Sequence, residues 1–219
     1  MQASSTPRVA VLVSGEGTNL QALLDAAAAG ALGGRVALVV SDRPQARGLL
    51  RAREAGVDAV CVRPAEHPDR LAYETALLDA LLAQEPSLLV FAGFMRILRG
   101  PVLERFAGRM LNIHPSLLPC YRGLDTHRRV LEAGERRHGA TVHFVTSELD
   151  AGPRVIQYRL TVRADDTPET LAARVHVGEH IILPRAVGWF LGGRLAQRGS
   201  EAVLDGRPLA EPVMVEAET

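Results

Sequence analysis

The 219-residue chain has little of what marks secreted, membrane-spanning or nucleic-acid-binding proteins. It has only two cysteines, Cys61 and Cys120, at no metal-ligand spacing, which argues for a reducing compartment and against a disulfide framework. Charge of one sign is not in excess either. Lys plus Arg and Asp plus Glu are 25 each, so no net basic field draws nucleic acid and any anion binding must come from local clusters. No stretch approaches the roughly 20 apolar residues of a membrane span. The polar segment 1–7 and the short apolar run Val9–Val13 do not resemble a signal peptide. These absences lead us to expect a cytoplasmic protein that engages no nucleic acid and no membrane; small-molecule partners are expected from the motifs below. What is present, 47% hydrophobic and 23% charged residues, is enough for one large domain or two small ones with a buried core.

The pattern along the chain alternates. Residues 8–13 form a continuous β-type run that leads through Ser14-Gly15-Glu16-Gly17-Thr18-Asn19 into a segment with helical spacing, Leu20 to Leu24. Strand patterns follow at 36–40, 57–62 and 88–92, with helices at 46–55, closed by Gly56, and at 69–84. Such alternation predicts a single α/β domain over 8–209, a mostly parallel twisted sheet with helices on both faces and right-handed crossovers. Later come strands at 141–146 and 155–162, the latter expected antiparallel at the far side. A helix capped by Thr167 with Pro168 in its first turn has a buried stripe of Leu171, Val175, Ile182 and Ala186. The C-terminal addition reads as an antiparallel hairpin over 194–209 turning at Asp205-Gly206. Residues 1–7 and 210–219 are expected to be disordered tails.

The chain is organised around Met110 to Pro119. Met110 to Ile113 reads as a strand, and Pro115 confines His114 to an extended or turn conformation. Asn112 and His114, two apart on an extended backbone, point to the same face. The pair is either a strand end with a satisfied histidine or an amide and an imidazole that converge on a carbonyl oxygen. In parallel sheets ligands gather outside the carboxyl ends of the strands. The loop after the first strand, Gly93 to Leu98 after the fourth and His114 ending the fifth all fall on that one edge. The first loop is neither GxGxxG nor GxxxxGK[ST]. Its glycines, free helix N–H groups, Thr18 and Asn19 suit one phosphomonoester, or else merely turn the chain and cap the helix. Gly93 to Leu98 places apolar side chains around Arg96, as a slot for a flat heterocycle or as packing beneath the next helix. Asp150, on a loop constrained by Pro153, is within reach of His114. Arg70 either meets an anionic ligand or is solvated, and a surface salt bridge is the default for Glu179.

The pieces SGEGTNLQAL, AGFMRIL, LNIHPSLLP, TVHFVTSELDAGP and ARVHVGEH resemble the phosphoribosylglycinamide formyltransferases, folate-dependent enzymes of purine synthesis, over residues 9–195. HPSLLP is shared with folate-dependent formyltransferases more widely, whereas the SGEGTNLQAL loop is narrower and speaks to the acceptor. The resemblance implies that an acceptor amine attacks the formyl carbon of 10-formyltetrahydrofolate, the formyl donor co-substrate, without a metal. It implies that Asn112 and a protonated His114 stabilise the oxyanion, with His114 as general acid and Asp150 favouring its charged form. It further implies that Gly17, Thr18 and Asn19 hold a ribosyl phosphate, Glu179 the sugar hydroxyls, and Arg70, Met95, Arg96, Ile97, Leu98 and Asn112 the folate. A monomer or homodimer is expected. Two positions depart from the pattern: Asp125 stands in place of a histidine, and Arg154 in place of an apolar residue. Related enzymes acting on methionyl-tRNA or deformylating folate would be expected to bring a further domain, and a silent nucleotide-binding module of the same fold is a third reading.

Overall fold

A computed structural model describes residues 6–217. The expected N-terminal tail lies mostly outside them. The first half runs β1 (Arg8–Val13), α1 (Thr18–Ala28), β2 (Arg35–Ser41), α2 (Arg47–Glu54), β3 (Asp58–Cys61), α3 (Arg70–Leu82) and β4 (Leu88–Phe91). Then come α4 (Pro101–Arg105), β5 (Met110–His114), α5 (Thr126–Glu132), β6 (Arg137–Phe144), β7 (Arg154–Thr161) and α6 (Pro168–Leu191). The C-terminal part adds β8 (Leu195–Arg198), β9 (Glu201–Leu204), β10 (Arg207–Pro208) and β11 (Val213–Glu216).

β1 is apolar from Val9 onward because both its faces are covered. Val9, Val11 and Val13 enter one core with Leu20, Leu23, Leu49, Leu171 and Ile182, from α1, α2 and α6. Ala10 and Leu12 enter a second core with Tyr73, Leu77 and Leu81 of α3 and Val102 of α4. Each such buried leucine or valine stabilises the fold by about 1.5–3 kcal/mol. Local signals start the helices. The Asp69 side chain accepts from the Ala72 N–H at 2.8 Å, and Thr167 and Thr170 form a reciprocal cap ahead of Pro168. α6 continues as one helical segment through Pro184.

The main sheet has the order β11-β7-β6-β5-β4-β1-β2-β3. Every neighbouring pair is parallel except the two made by β6. The α1 and α2 crossovers pack on one face and α3 on the other, so the winding reverses between β1 and β4, where a crevice opens at their carboxyl ends. β5, which carries Asn112 and His114, borders that crevice. Among the described residues no helix is long and apolar enough to cross a membrane, and both cysteines are free.

Three expectations need correction. Residues 213–216 are not a tail: β11 pairs parallel with β7, with Val213 and Val215 packed against the core and Arg159 paired to Glu216. Val213, Met214 and Val215 are three apolar residues in a row, too short a run to read as a strand against a polar background. The expected hairpin over 194–209 is a three-stranded sheet, in which Asp205-Gly206, both at positive φ, turns β9 into β10, while β8 and β9 meet across Gly199 and Ser200. β6 begins at Arg137 and ends at Phe144 rather than spanning 141–146. Its first residues, Arg-His-Gly, have no β pattern but are recruited by pairing with β7, and a Cβ at Gly139 would lie 1.8 Å from the Tyr158 carbonyl oxygen.

Candidate active site at the strand ends

A cavity of about 680 Å³ opens at the carboxyl ends of β1, β4 and β5. Its wall includes Asn19, Met95, Arg96, Ile97, Leu98, Asn112, His114, Asp150 and Glu179, so nine of the expected site residues meet in one place. Gly17, Thr18 and Arg70 are not in that wall. Gly17 sits at φ 71° ahead of α1, and a Cβ on it would lie 2.7 Å from the Cα of Gly48, so both backbone angle and close approach require glycine. Thr18 begins α1, whose first turn receives no side-chain cap. Arg70 lies behind the wall, donating from Nε to Glu74 at 2.8 Å and from Nη2 to the Ile97 carbonyl.

The centre is built on β5. His114 is buried, and its Nε2 lies 2.9 Å from the Tyr121 carbonyl oxygen. A carbonyl only accepts, so Nε2 carries hydrogen and Nδ1 faces Asp150 Oδ2 at 3.4 Å. Asp150, at φ 50°, also accepts from the Gly123 N–H at 2.9 Å. Burial pushes Asp150 up, but His143, the Gly123 N–H and the charge of His114 together hold it below the usual carboxylate range. Burial pushes His114 down, outweighing the Tyr121 carbonyl and Asp150, which favour its charged form. Asp150 favours the charged imidazole, as expected, but its pull is smaller than the opposing desolvation. Desolvation wins, leaving imidazole beside carboxylate, two acceptors facing one position where a proton is bound when it arrives.

A second histidine, not singled out from the sequence, orients Asn112. His143 faces it across the β5–β6 pairing. Its Nδ1 donates to the Phe144 carbonyl at 2.8 Å, so in the neutral ring Nε2 accepts from Asn112 Nδ2 at 3.0 Å. That fixes which end of the amide is nitrogen and leaves its second N–H for a ligand. Asp150 Oδ1 stands 3.7 Å from the same Nε2.

At one end of the cavity, Asn19 Nδ2 donates to Glu179 Oε2 at 2.8 Å. Glu179 is not on the surface as its default reading had it. It is 3% exposed, because a side chain at the preceding Gly178 would collide with the Tyr158 ring and its absence lets α6 lie close on β7. Burial pushes the Glu179 carboxyl up, against the pull of Asn19 and His176. Asn19 Oδ1 and Thr126 Oγ1, both buried in this wall, have no hydrogen-bond partner among the described residues, which points to a polar ligand here. At the other end, the loop after β4 hangs on two buried carboxylates. Asp42 accepts from Ser14 Oγ at 2.6 Å and Arg96 Nε at 2.9 Å, and Ser14 Oγ accepts from the Met95 N–H at 2.9 Å. Glu74 accepts from Arg70 and from the Arg99 N–H at 3.0 Å. Asp42 was not singled out from the sequence, although its place one residue past β2 on the same edge is a signal that marks it. Glu74 gives none, being one acidic residue in a helix. Among the described residues no group of His, Cys, Asp and Glu is arranged to hold a metal ion.

Comparison with known proteins gives the family that this chain is similar to. A family model described as formyl transferase matches residues 7–187. The phosphoribosylglycinamide formyltransferase of Escherichia coli is 45% identical over 201 residues, 92% of this chain and 95% of that protein. The structure of the phosphoribosylglycinamide formyltransferase from Coxiella burnetii superposes with a TM-score of 0.92 at 45% identity, covering 96% of this chain and 99% of that one. A glycinamide ribonucleotide transformylase from Symbiobacterium toebii gives 0.89 at 47% identity, covering 92% and 95%.

Proposed function

This chain belongs to the phosphoribosylglycinamide formyltransferase family, and from that premise we propose how its residues move a formyl group from 10-formyltetrahydrofolate to the amine of 5-phosphoribosylglycinamide, a step of purine synthesis. The observation that carries the reading is the convergence of Asn112, His114 and Asp150, with 3.4 Å between imidazole and carboxylate. The apolar loop Met95, Ile97 and Leu98 with Arg96 takes the folate, and Arg70 supports that loop from behind through the Ile97 carbonyl. Asn19 and Glu179 take the ribose end, with the uncapped start of α1 at Gly17 and Thr18 receiving the phosphate.

The amine lone pair attacks the formyl carbon, and the carbonyl electrons collect on oxygen. The second Asn112 N–H stabilises that oxygen. As the attacking nitrogen becomes cationic, its proton passes to the position between His114 Nδ1 and Asp150, directly or through water. The resulting imidazolium places positive charge beside the oxyanion, matching charge that exists only in the transition state. When the carbon to folate nitrogen bond breaks, His114 acts as general acid and returns the proton to that nitrogen, so one proton leaves the amine and one reaches the donor. The chain works in the cytoplasm, as a monomer or homodimer, on small molecules alone.

A formyl-transfer assay with 10-formyltetrahydrofolate and glycinamide ribonucleotide tests this. Turnover is expected with the ribonucleotide. Binding of both substrates without transfer would overturn the reading in favour of a silent module.

A further inference from the structure

Arg154 stands where an apolar residue is expected, outside the cavity wall, and the structure gives it a place. The Leu118 carbonyl oxygen accepts two side-chain hydrogen bonds from β7, from Arg154 Nη1 at 3.0 Å and Gln157 Nε2 at 2.8 Å. The Leu118 N–H donates to Thr141 Oγ1 at 3.1 Å, and that hydroxyl donates on to the Ser116 carbonyl at 2.7 Å. The Ser116 N–H in turn donates to the His114 carbonyl at 2.9 Å. Ser116 Oγ donates to the Cys120 carbonyl at 2.7 Å, and the next residue, Tyr121, receives the His114 Nε2–H. The turn from 114 to 121 thus closes on its own histidine, and its middle is held from β7. A second arm of Arg154, Nη2, lies 3.6 Å from Glu211 Oε2, just ahead of β11. In the sheet, Arg154 is paired with His143 beside a register shift, so it borders one of the two histidines of the centre.

We propose that Arg154 is a positioning residue for the formyl transfer reaction. By tying Leu118 to the segment before β11, it sets where the Tyr121 carbonyl sits and hence where His114 Nδ1 points. A guanidinium suits this task because its fixed fork reaches two acceptors at once, and a charged donor binds a carbonyl more strongly than a neutral one. The exposed Glu211 arm contributes little by itself. The Leu118 arm carries the effect, since a displacement of about 1 Å at a reacting group lowers rates about 100-fold. The proposal rests on the reading of His114 given above.

The test is the series Arg154, Arg154→Lys and Arg154→Met, measured for kcat, both KM values and melting temperature, with enzyme concentration set by titration with a tight-binding folate analogue. An ammonium reaches one acceptor and a thioether neither, so kcat per folded site is expected to fall about threefold in Arg154→Lys and about tenfold in Arg154→Met, with both KM values within about twofold. A flat kcat series, or KM rising in step with any loss, overturns the proposal. If Arg154→Met does not fold, Arg154→Lys decides alone by the same criteria. The ¹⁵N shifts of the His114 ring give a readout independent of turnover: they are expected to change in Arg154→Lys, and unchanged shifts count against the proposal even where the wild-type chain transfers no formyl group.

Discussion

Asn112 donates to Nε2 of His143 at 3.0 Å, on a ring whose other nitrogen is held by the Phe144 carbonyl at 2.8 Å. The oxyanion donor is thus aimed by a backbone carbonyl two bonds removed from it. His143→Phe keeps a ring in this buried place and removes both bonds. Loss of one well-aimed oxyanion donor lowers kcat about 100- to 1,000-fold in acyl transfer, and misdirection of a donor that remains is expected to lower it about 10- to 100-fold, with KM nearly unchanged. Steady-state kinetics with both substrates checks this. An unaltered kcat would mean that Asn112 is held by other contacts.

Asp42 holds the folate loop through Ser14 and Arg96 and touches neither the reacting centre nor the ribose end. Asp42→Asn is therefore expected to raise the KM for the folate co-substrate about tenfold, a loss of about 1.4 kcal/mol of binding, and to leave the KM for the ribonucleotide as it is. Equal increases in both would show that the two ends of the cavity are coupled through β2.

His127 and His138 share a hydrogen bond, Nδ1 to Nε2, at 3.0 Å. Burial, followed by nearby histidine charges, pushes His127 down to about 4 and His138 to about 3. In the unfolded chain each titrates near 6.5. As pH falls below 6.5 the unfolded state binds protons that the folded state refuses, so stability is complete above that pH and is lost toward pH 3. At pH 4.5 His138 alone is expected to cost about 3 kcal/mol. Urea unfolding at pH 7 and pH 4.5 measures the loss, and His138→Asn is expected to reduce it. A wild-type curve as flat as that of the variant would contradict the assignment.

The parallel core of the fold was legible because β1, β2, β4 and β5 are largely buried on both faces and β1 to β4 are separated by helical periods. So was the shared edge of the site, since Asn112 and His114 lie two apart on a strand ended by Pro115. β11 was not, because its place depends on an edge that β7 offers at a distance of some sixty residues. Nor was the burial of Glu179, which follows from a ring beneath Gly178 that no local pattern records. The resting charge of His114 was not legible for a related reason. The sequence names a carboxylate partner, but the desolvation that opposes it belongs to the packed interior.

Single-turnover formyl transfer by Asp150→Asn across pH most directly tests whether imidazole and carboxylate act as one proton-binding unit. The amide removes a charge that raises the proton affinity of His114. The transfer rate is expected to fall about 100-fold or more, and the acid limb of its pH profile, which reports first protonation of the pair, to move to lower pH. A rate and an acid limb both matching the wild-type enzyme would contradict the account.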